Sequence, residues 1–400
     1  GITISLVFSE NGIIAKAREA ANKTNEAVIN EQAQMNDVTA AMENMLNGTG
    51  GSTTPEEPEG CPAEEFEKWN GESDDKVNAV QSTDTTPVTV PVPKGYTASK
   101  VTGETTVDDG FVIYEGEEEV NDTNKDTAQT TRNQFVWVPV ANPSEMYGRD
   151  ENCKKWGKLY SFSSTGITPR NWTEEDGVMS ITSATSSREP DVVTGSGTSY
   201  DADNTNLQQA GLDASATSYT FNAQLEAEFN NMIASVEKYS GFYIGRYETG
   251  NLSQAQAVVV KNNSDIGGQT WYTIYNKSKE VSANSNVTTS MIWGCQWDAV
   301  MRWMYNSGNA EKKKYTYDST GKGNYSGSTK ATGLNDEYAV NNIYDMTGNV
   351  YDNTIEAGNT RVTRGGGCYD LGSRSPASAR LNFSPTGNVS YYGSRIALYM

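Results

Sequence analysis

Four cysteines, at positions 61, 153, 295 and 368, are the residues of this chain with the widest chemical reach. No two of them stand in a C-x-x-C spacing, so neither a zinc ribbon nor a thioredoxin-type redox pair is encoded. Histidine is absent from all 400 residues, which excludes Ser-His-Asp and Cys-His catalysis and the usual histidine zinc sites. An even cysteine count in a chain that reads as exported allows one or two disulfides, and four cysteines allow three pairings. Context favours Cys61 with Cys153, each in a loop-like stretch, and leaves Cys295 and Cys368 free.

A different kind of chemistry, recognition without turnover, is written into the last residues. Between Gly365 and Tyr399 there is no Lys, Glu, Gln, Trp, Met or His, although Lys, Glu and Gln are common elsewhere. His apart, these are the residues that no codon ending in cytosine encodes. Cys368, Tyr369, Asp370, Leu371, Arg374, Leu381, Asn382, Phe383, Asn388, Val389, Tyr391 and Tyr392 could each arise from an asparagine codon with randomised adenines. They alternate with fixed-looking pieces such as Ser375-Pro376-Ala377-Ser378 and Gly393-Ser394-Arg395. Tyr, Asn, Ser and Arg on a stiff support give aromatic area and adaptable hydrogen bonds at low entropic cost, which is what a binding face uses. These twelve positions are the candidate ligand-binding residues.

The elements that must hold that segment are legible. Ile343 to Met346 runs into a Thr347-Gly348-Asn349 turn, where Gly348 can take a positive φ and Asn349 can bond its own backbone. Strands follow at Val350-Tyr351 and Arg361 to Arg364, the second entering three glycines that allow close backbone approach. Upstream, strands are expected at Val88–Val92, Gly110–Tyr114, Phe135–Val140 and Gly241–Glu248. Helices are expected at Ala223–Lys238 and Cys295–Asn306. Residues 141–220 read as a long polar insertion, and Gly308–Leu334 as a basic, glycine-rich loop whose run Lys312 to Lys314 is solvated.

At the front of the chain, Ile14, Ala17, Ala21, Val28, Met35, Val38, Met42 and Met45 step alternately by three and four, with Thr24 and Glu31 on the remaining steps of the register. They form a coiled-coil-type seam of about nine turns over residues 1–47. Residues 48–75 are a flexible acidic linker by composition, and 76–400 form the main domain. The net charge of −20 argues against nucleic acid and anionic membranes as partners.

Four stretches in order carry a resemblance: Phe135–Val140, Gly241–Glu248, Ile292–Ala299, and the turn-strand-glycine run from Asn341 to Gly367 with the ending Gly393-Ser394-Arg395. They resemble the formylglycine-generating-enzyme-like family, a variant of the C-type lectin fold, so the expected class is α+β. The resemblance implies a calcium held by Asp345, Gly348, Val350 and Asp352. The family's catalytic cysteine pair does not map, since Cys368 is followed by no second cysteine, and no enzymatic activity is expected. The diversified-looking tail resembles the variable proteins of diversity-generating retroelements. Leu6 to Ala17 is similar to the first helix of type IV pilin-like proteins, although Ser5 stands where mature pilins carry glutamate. Together these imply an extracellular, cell-surface or pilus-associated bacterial adhesin. Its helix would contact other filament subunits, and its tail a protein or glycan ligand. The alternative is a structural pilin-like subunit of an extracellular filament.

Overall fold

Alternation along a few buried strands sets the architecture. The computed structural model describes residue 61 and residues 66–150, 152–170, 173–175, 178–180, 189–193, 200–358 and 360–400, with only the backbone path at 173–175 and 178–180. The expected pilin-like helix and most of the linker lie outside the described residues. Those described belong to one compact unit, Glu57–Met400.

The labelled strands are β1 (Tyr96–Ala98), β2 (Val112–Glu115), β3 (Gln134–Pro139), β4 (Gly241–Gly245), β5 (Thr288–Met291), β6 (Tyr351–Ala357), β7 (Arg361–Arg364), β8 (Arg380–Phe383), β9 (Tyr392–Ser394) and β10 (Ile396–Tyr399). The helices are α1 (Ser218–Tyr239), α2 (Trp271–Ser278), α3 (Gly294–Tyr305) and α4 (Ala310–Tyr317). One sheet runs β5-β10-β4-β3-β2-β1, antiparallel throughout. A second runs β8-β7-β6-β9, with β9 parallel to β6. The class is α+β.

Because side chains alternate across a pleated sheet, the six-stranded sheet separates two apolar layers. Val136, Val138, Phe242, Ile244 and Ala397 face one. Phe135, Trp137, Tyr243, Ile396 and Leu398 face the other. The first layer is closed by α1, which buries Phe221, Leu225, Phe229, Met232, Ile233 and Val236. This helix starts five residues before the expected Ala223, because Thr217 and Thr220 close a capping box over its first turn. Ser240, left-handed at φ 57°, ends it. Helix α3 runs one residue ahead of expectation at both ends.

Two expectations are corrected. The stretch 308–334 is not all loop: Asn309 accepts from the amides of Glu311 and Lys312 and caps α4, so the lysine run is helical. Residues 66–75 are not free linker, since Trp69 N donates to Lys238 O at 2.9 Å and its ring lies 6.1 Å from that of Tyr239. Within 141–220, the described residues form two-stranded ribbons, Tyr147–Arg149 with Lys155–Gly157 and Leu159–Phe162 with Ile167–Arg170, and a short helix, Asn204–Gln209. Cys61 and Cys153 are disulfide-bonded, while Cys295 and Cys368 are free and buried.

Candidate functional site

The tail leaves β7 through Gly365 and Gly366, both left-handed at φ 80° and 71°. A Cβ at Gly365 would lie 2.4 Å from Met346 O, and one at Gly367 would lie 2.5 Å from the Tyr351 ring, so the chain is pressed onto its support where only glycine fits. From there it is pinned repeatedly. Gly367 N donates to Asp370 Oδ2 at 3.0 Å, and Trp297 Nε1 donates to Ala377 O at 2.8 Å. The second half is braced by the loop before α2. Gly268 N donates to Val389 O and Trp271 N to Pro385 O, at 3.2 and 3.0 Å.

So held, the segment displays most of the twelve candidates. Tyr369 and Leu371 are 62% and 56% exposed; Arg374, Leu381, Asn382, Asn388 and Val389 are exposed, and Asp370, Tyr391 and Tyr392 half-buried. Cys368 and Phe383 are buried and reach no surface. The aromatic members touch in a chain: Tyr369 to Tyr391 at 5.2 Å between ring centres, Tyr391 to Tyr392 at 5.1 Å, and Tyr392 to Phe383 at 3.8 Å. Phe383 thus acts as the inner anchor of the cluster. Tyr351 of β6 lies 5.3 Å from Tyr392 and 6.1 Å from Tyr391. It lies outside the diversified-looking stretch, and nothing in the codon pattern points to it; its place on β6, paired in register with Tyr392, brings it there.

Beneath the face is a layer of buried charge. Arg364 binds Asp298 at 2.6 Å and Glu356 at 3.4 Å, and Arg380 binds the same two carboxylates at 2.5 and 2.7 Å. Arg361 pairs with Asp201 at 2.8 Å, both fully buried. Charges this deep are tolerated only when paired, and their fork geometry fixes β7 and β8 in place. Glu189 accepts from the amides of Gly294 and Cys295; burial first, and then the neighbouring Glu356, push its carboxyl up to about 8.

At the Asp345–Asp352 turn, Gly348 has φ 74°, as expected. Asn349, however, bonds outward rather than to its own backbone. Its Oδ1 accepts from Lys330 N and Asn324 Nδ2, both at 2.8 Å, and its Nδ2 donates to Glu248. Asp345 Oδ2 accepts from Gly333 N at 2.8 Å and Thr332 Oγ1 at 3.1 Å. Asp352 lies 3.6 Å from Arg395 Nε, and neither of its oxygens has a hydrogen bond. Burial raises Asp352 to about 7, against the pull of Arg395. Among the described residues, no three or more His, Cys, Asp or Glu side chains gather as a metal-holding group.

No family model and no curated protein matches the chain. Two solved structures resemble it distantly. PvdO from Pseudomonas aeruginosa is 15% identical, with a TM-score of 0.28, over 40% of this chain and 82% of that one. Treponema denticola variable protein 1 is 13% identical, with a TM-score of 0.25, over 67% of this chain and 96% of that one. At such scores neither likeness carries the functional reading, which rests on the site. No helix among the described residues is long and apolar enough to cross a membrane.

Proposed function

We propose that the protein is a cell-surface or pilus-associated adhesin, a non-enzymatic binding protein on a lectin-like body of the formylglycine-generating-enzyme type. In this reading the body presents a diversified C-terminal face to a protein or glycan ligand. The observation that carries this reading is the contiguous ring cluster Tyr369, Tyr391, Tyr392 and Phe383, in a segment that also exposes Leu371, Leu381 and Val389. Exposed aromatic side chains with few rotamers, fixed on a rigid sheet, are the groups that dominate binding energy in recognition surfaces. The Cys61–Cys153 disulfide supports an oxidising, extracellular setting. Attachment to other filament subunits through residues 1–47 belongs to the same proposal.

The test is a protein and glycan array probed with the labelled full chain and with a Tyr369→Ser/Tyr391→Ser double variant. Loss of each array signal in the variant at unchanged melting temperature is expected; signals that survive the substitutions refute the face. Calcium at Asp345, Gly348, Val350 and Asp352 is a separate proposal. It is supported by the two Asp352 oxygens that lack a partner, and opposed by Arg395 beside them. Hard carboxylate and carbonyl oxygens are the ligands calcium takes. Millimolar calcium raises the melting temperature if it binds there, and Asp352→Asn removes the rise; a melt indifferent to calcium and to EDTA ends the proposal.

A further inference from the structure

The four-stranded sheet is closed along one edge and open along the other. Its β9 edge is filled: Thr249 N donates to Ser394 O at 2.9 Å, and a Cβ at Gly393 would lie 2.3 Å from Ile266 O. Its β8 edge meets no further strand among the described residues.

Which main-chain groups of β8 face outward follows from the ladder. In an antiparallel pair, residues that exchange hydrogen bonds alternate with residues that do not. Gly365 N donates to Ala379 O at 3.4 Å, in line with the register Arg364–Arg380, Thr363–Leu381, Val362–Asn382 and Arg361–Phe383. Leu381 and Phe383 therefore bond to β7, and the N–H and C=O groups of Arg380 and Asn382 point away from it. Those of Asn382 have no partner among the described residues. Leu381 is 39% exposed and Asn382 is exposed too. Neighbouring side chains of a strand point to opposite faces, so the edge is open on both.

Sheet edges are commonly blunted by lysine, proline, a bulge or a charge. Strand β8 uses none of these. It has no Lys or Pro, its register with β7 is unbroken, and its one charge, Arg380, is engaged by Asp298 and Glu356. Only its length, four residues, limits what it could pair with. Leu381 and Asn382 are also two of the twelve candidate positions, so the open edge lies within the diversified-looking stretch.

We propose that the ligand of the tail is a protein that adds an extended segment as a further strand along β8; this rests on the reading of the tail as a binding face. Outward N–H and C=O groups on alternate residues are complemented by the backbone of an extended peptide, whose own groups repeat at the same spacing. The N–H and C=O of Asn382 hold the added backbone, while the Leu381 and Asn382 side chains meet the side chains of the peptide. Such docking suits a segment that varies. Exchange of side chains at 381 and 382 alters which peptide is preferred and leaves the main-chain bonds intact, so one docking geometry serves many variants.

The experiment pans a displayed library of random linear peptides of about ten residues against the full chain and titrates a selected peptide calorimetrically. The peptide is then remade with single N-methyl groups along its backbone. Methylation of every second nitrogen, those facing β8, is expected to weaken binding about tenfold or more, and methylation of the intervening ones to leave it within about threefold. Asn382→Pro removes the outward N–H without touching a bond to β7, and should weaken the unmethylated peptide to the same extent at an unchanged melting temperature. If that variant does not fold, the methyl scan on the parent chain still decides. A scan without a period of two, or a library that yields no saturable binder, overturns strand addition. Self-association of the chain that Asn382→Pro abolishes assigns the edge to a second copy and overturns it as well. Array signals lost in the Tyr369→Ser/Tyr391→Ser variant while no linear peptide binds leave the tail face standing and refute strand addition alone. Peptide binding with a period of two that survives both serines upholds the edge and refutes the ring cluster.

Discussion

Substituting Gly267 by alanine tests whether the binding face is set by the loop that braces it. Gly267 is not in the tail, and its φ is not in the left-handed region, so an alanine there meets only a packing problem. The added Cβ would lie 2.2 Å from Ser390 O and 3.0 Å from Tyr392 O. Reaching ordinary contact requires the tail backbone at Ser390 to retreat by about 1 Å, an overpacking of the kind that costs about 1–3 kcal/mol. Retreat also stretches the bonds from Gly268 N to Val389 O and from Trp271 N to Pro385 O. In the unit Glu57–Met400 the expected fall in melting temperature is about 1.5–4 °C. Hydrogen exchange at the Gly268 and Trp271 amides should quicken, while that of β3 and β4 stays unchanged. A melting temperature within a degree of the parent, with both amides equally protected, would refute the claim that this loop positions Tyr391 and Tyr392.

Reducing the Cys61–Cys153 disulfide, which spans 92 positions, should lower stability by about 2–4 kcal/mol, read as a difference between melts with and without reductant. Glu189, raised to about 8 by burial and Glu356, binds its proton more tightly folded than unfolded. Stability is therefore full below the ordinary carboxylate range and declines as pH rises toward 8; Asp352, raised to about 7, acts in the same direction. Glu189→Gln should flatten that decline in a series of melts from pH 5 to pH 8, and an unaltered slope would remove Glu189 from the account. Arg364→Met leaves Asp298 and Glu356 to Arg380 alone and should cost about 3–5 kcal/mol by chemical denaturation, far more than loss of an exposed ion pair such as Lys125–Asp122.

Much of the frame was legible because it obeys short-range rules. The Phe135–Val140 run and the Gly241–Gly245 part of Gly241–Glu248 are continuous and apolar, as a strand buried on both faces demands, and they became the two central strands β3 and β4. The stripe on Leu225, Phe229, Met232, Ile233 and Val236 declared α1. What sequence reasoning missed depends on distant partners. Helix α2 went unread because Trp271–Ser278 is only eight residues, about two turns, too short for the alternation of Trp271, Tyr272, Ile274 and Tyr275 with Thr273, Asn276 and Lys277 to mark a period. Helix α4 was hidden by three consecutive lysines, which read as solvent-facing whatever the backbone does. The charged layer under the face could not be seen at all, since Asp298, Glu356, Arg364 and Arg380 are brought together from four elements, α3, β6, β7 and β8. Of the candidate face, composition showed which residues could vary but not which are displayed. Phe383 is indistinguishable from Tyr391 by codon, yet one is an anchor and the other a contact surface.

The disulfide also decides how a pull would travel. Tension applied on the N-terminal side of Cys61 crosses the sulfur–sulfur bond to Cys153, so the 62–152 segment, which includes β1, β2 and β3, lies on a slack branch. The load passes next to Lys154, which is ion-paired with Glu226 at 2.6 Å, and so into the long helix α1. A pull along this route leaves β1, β2 and β3 out of the loaded path, while β4 and β10 stay on it.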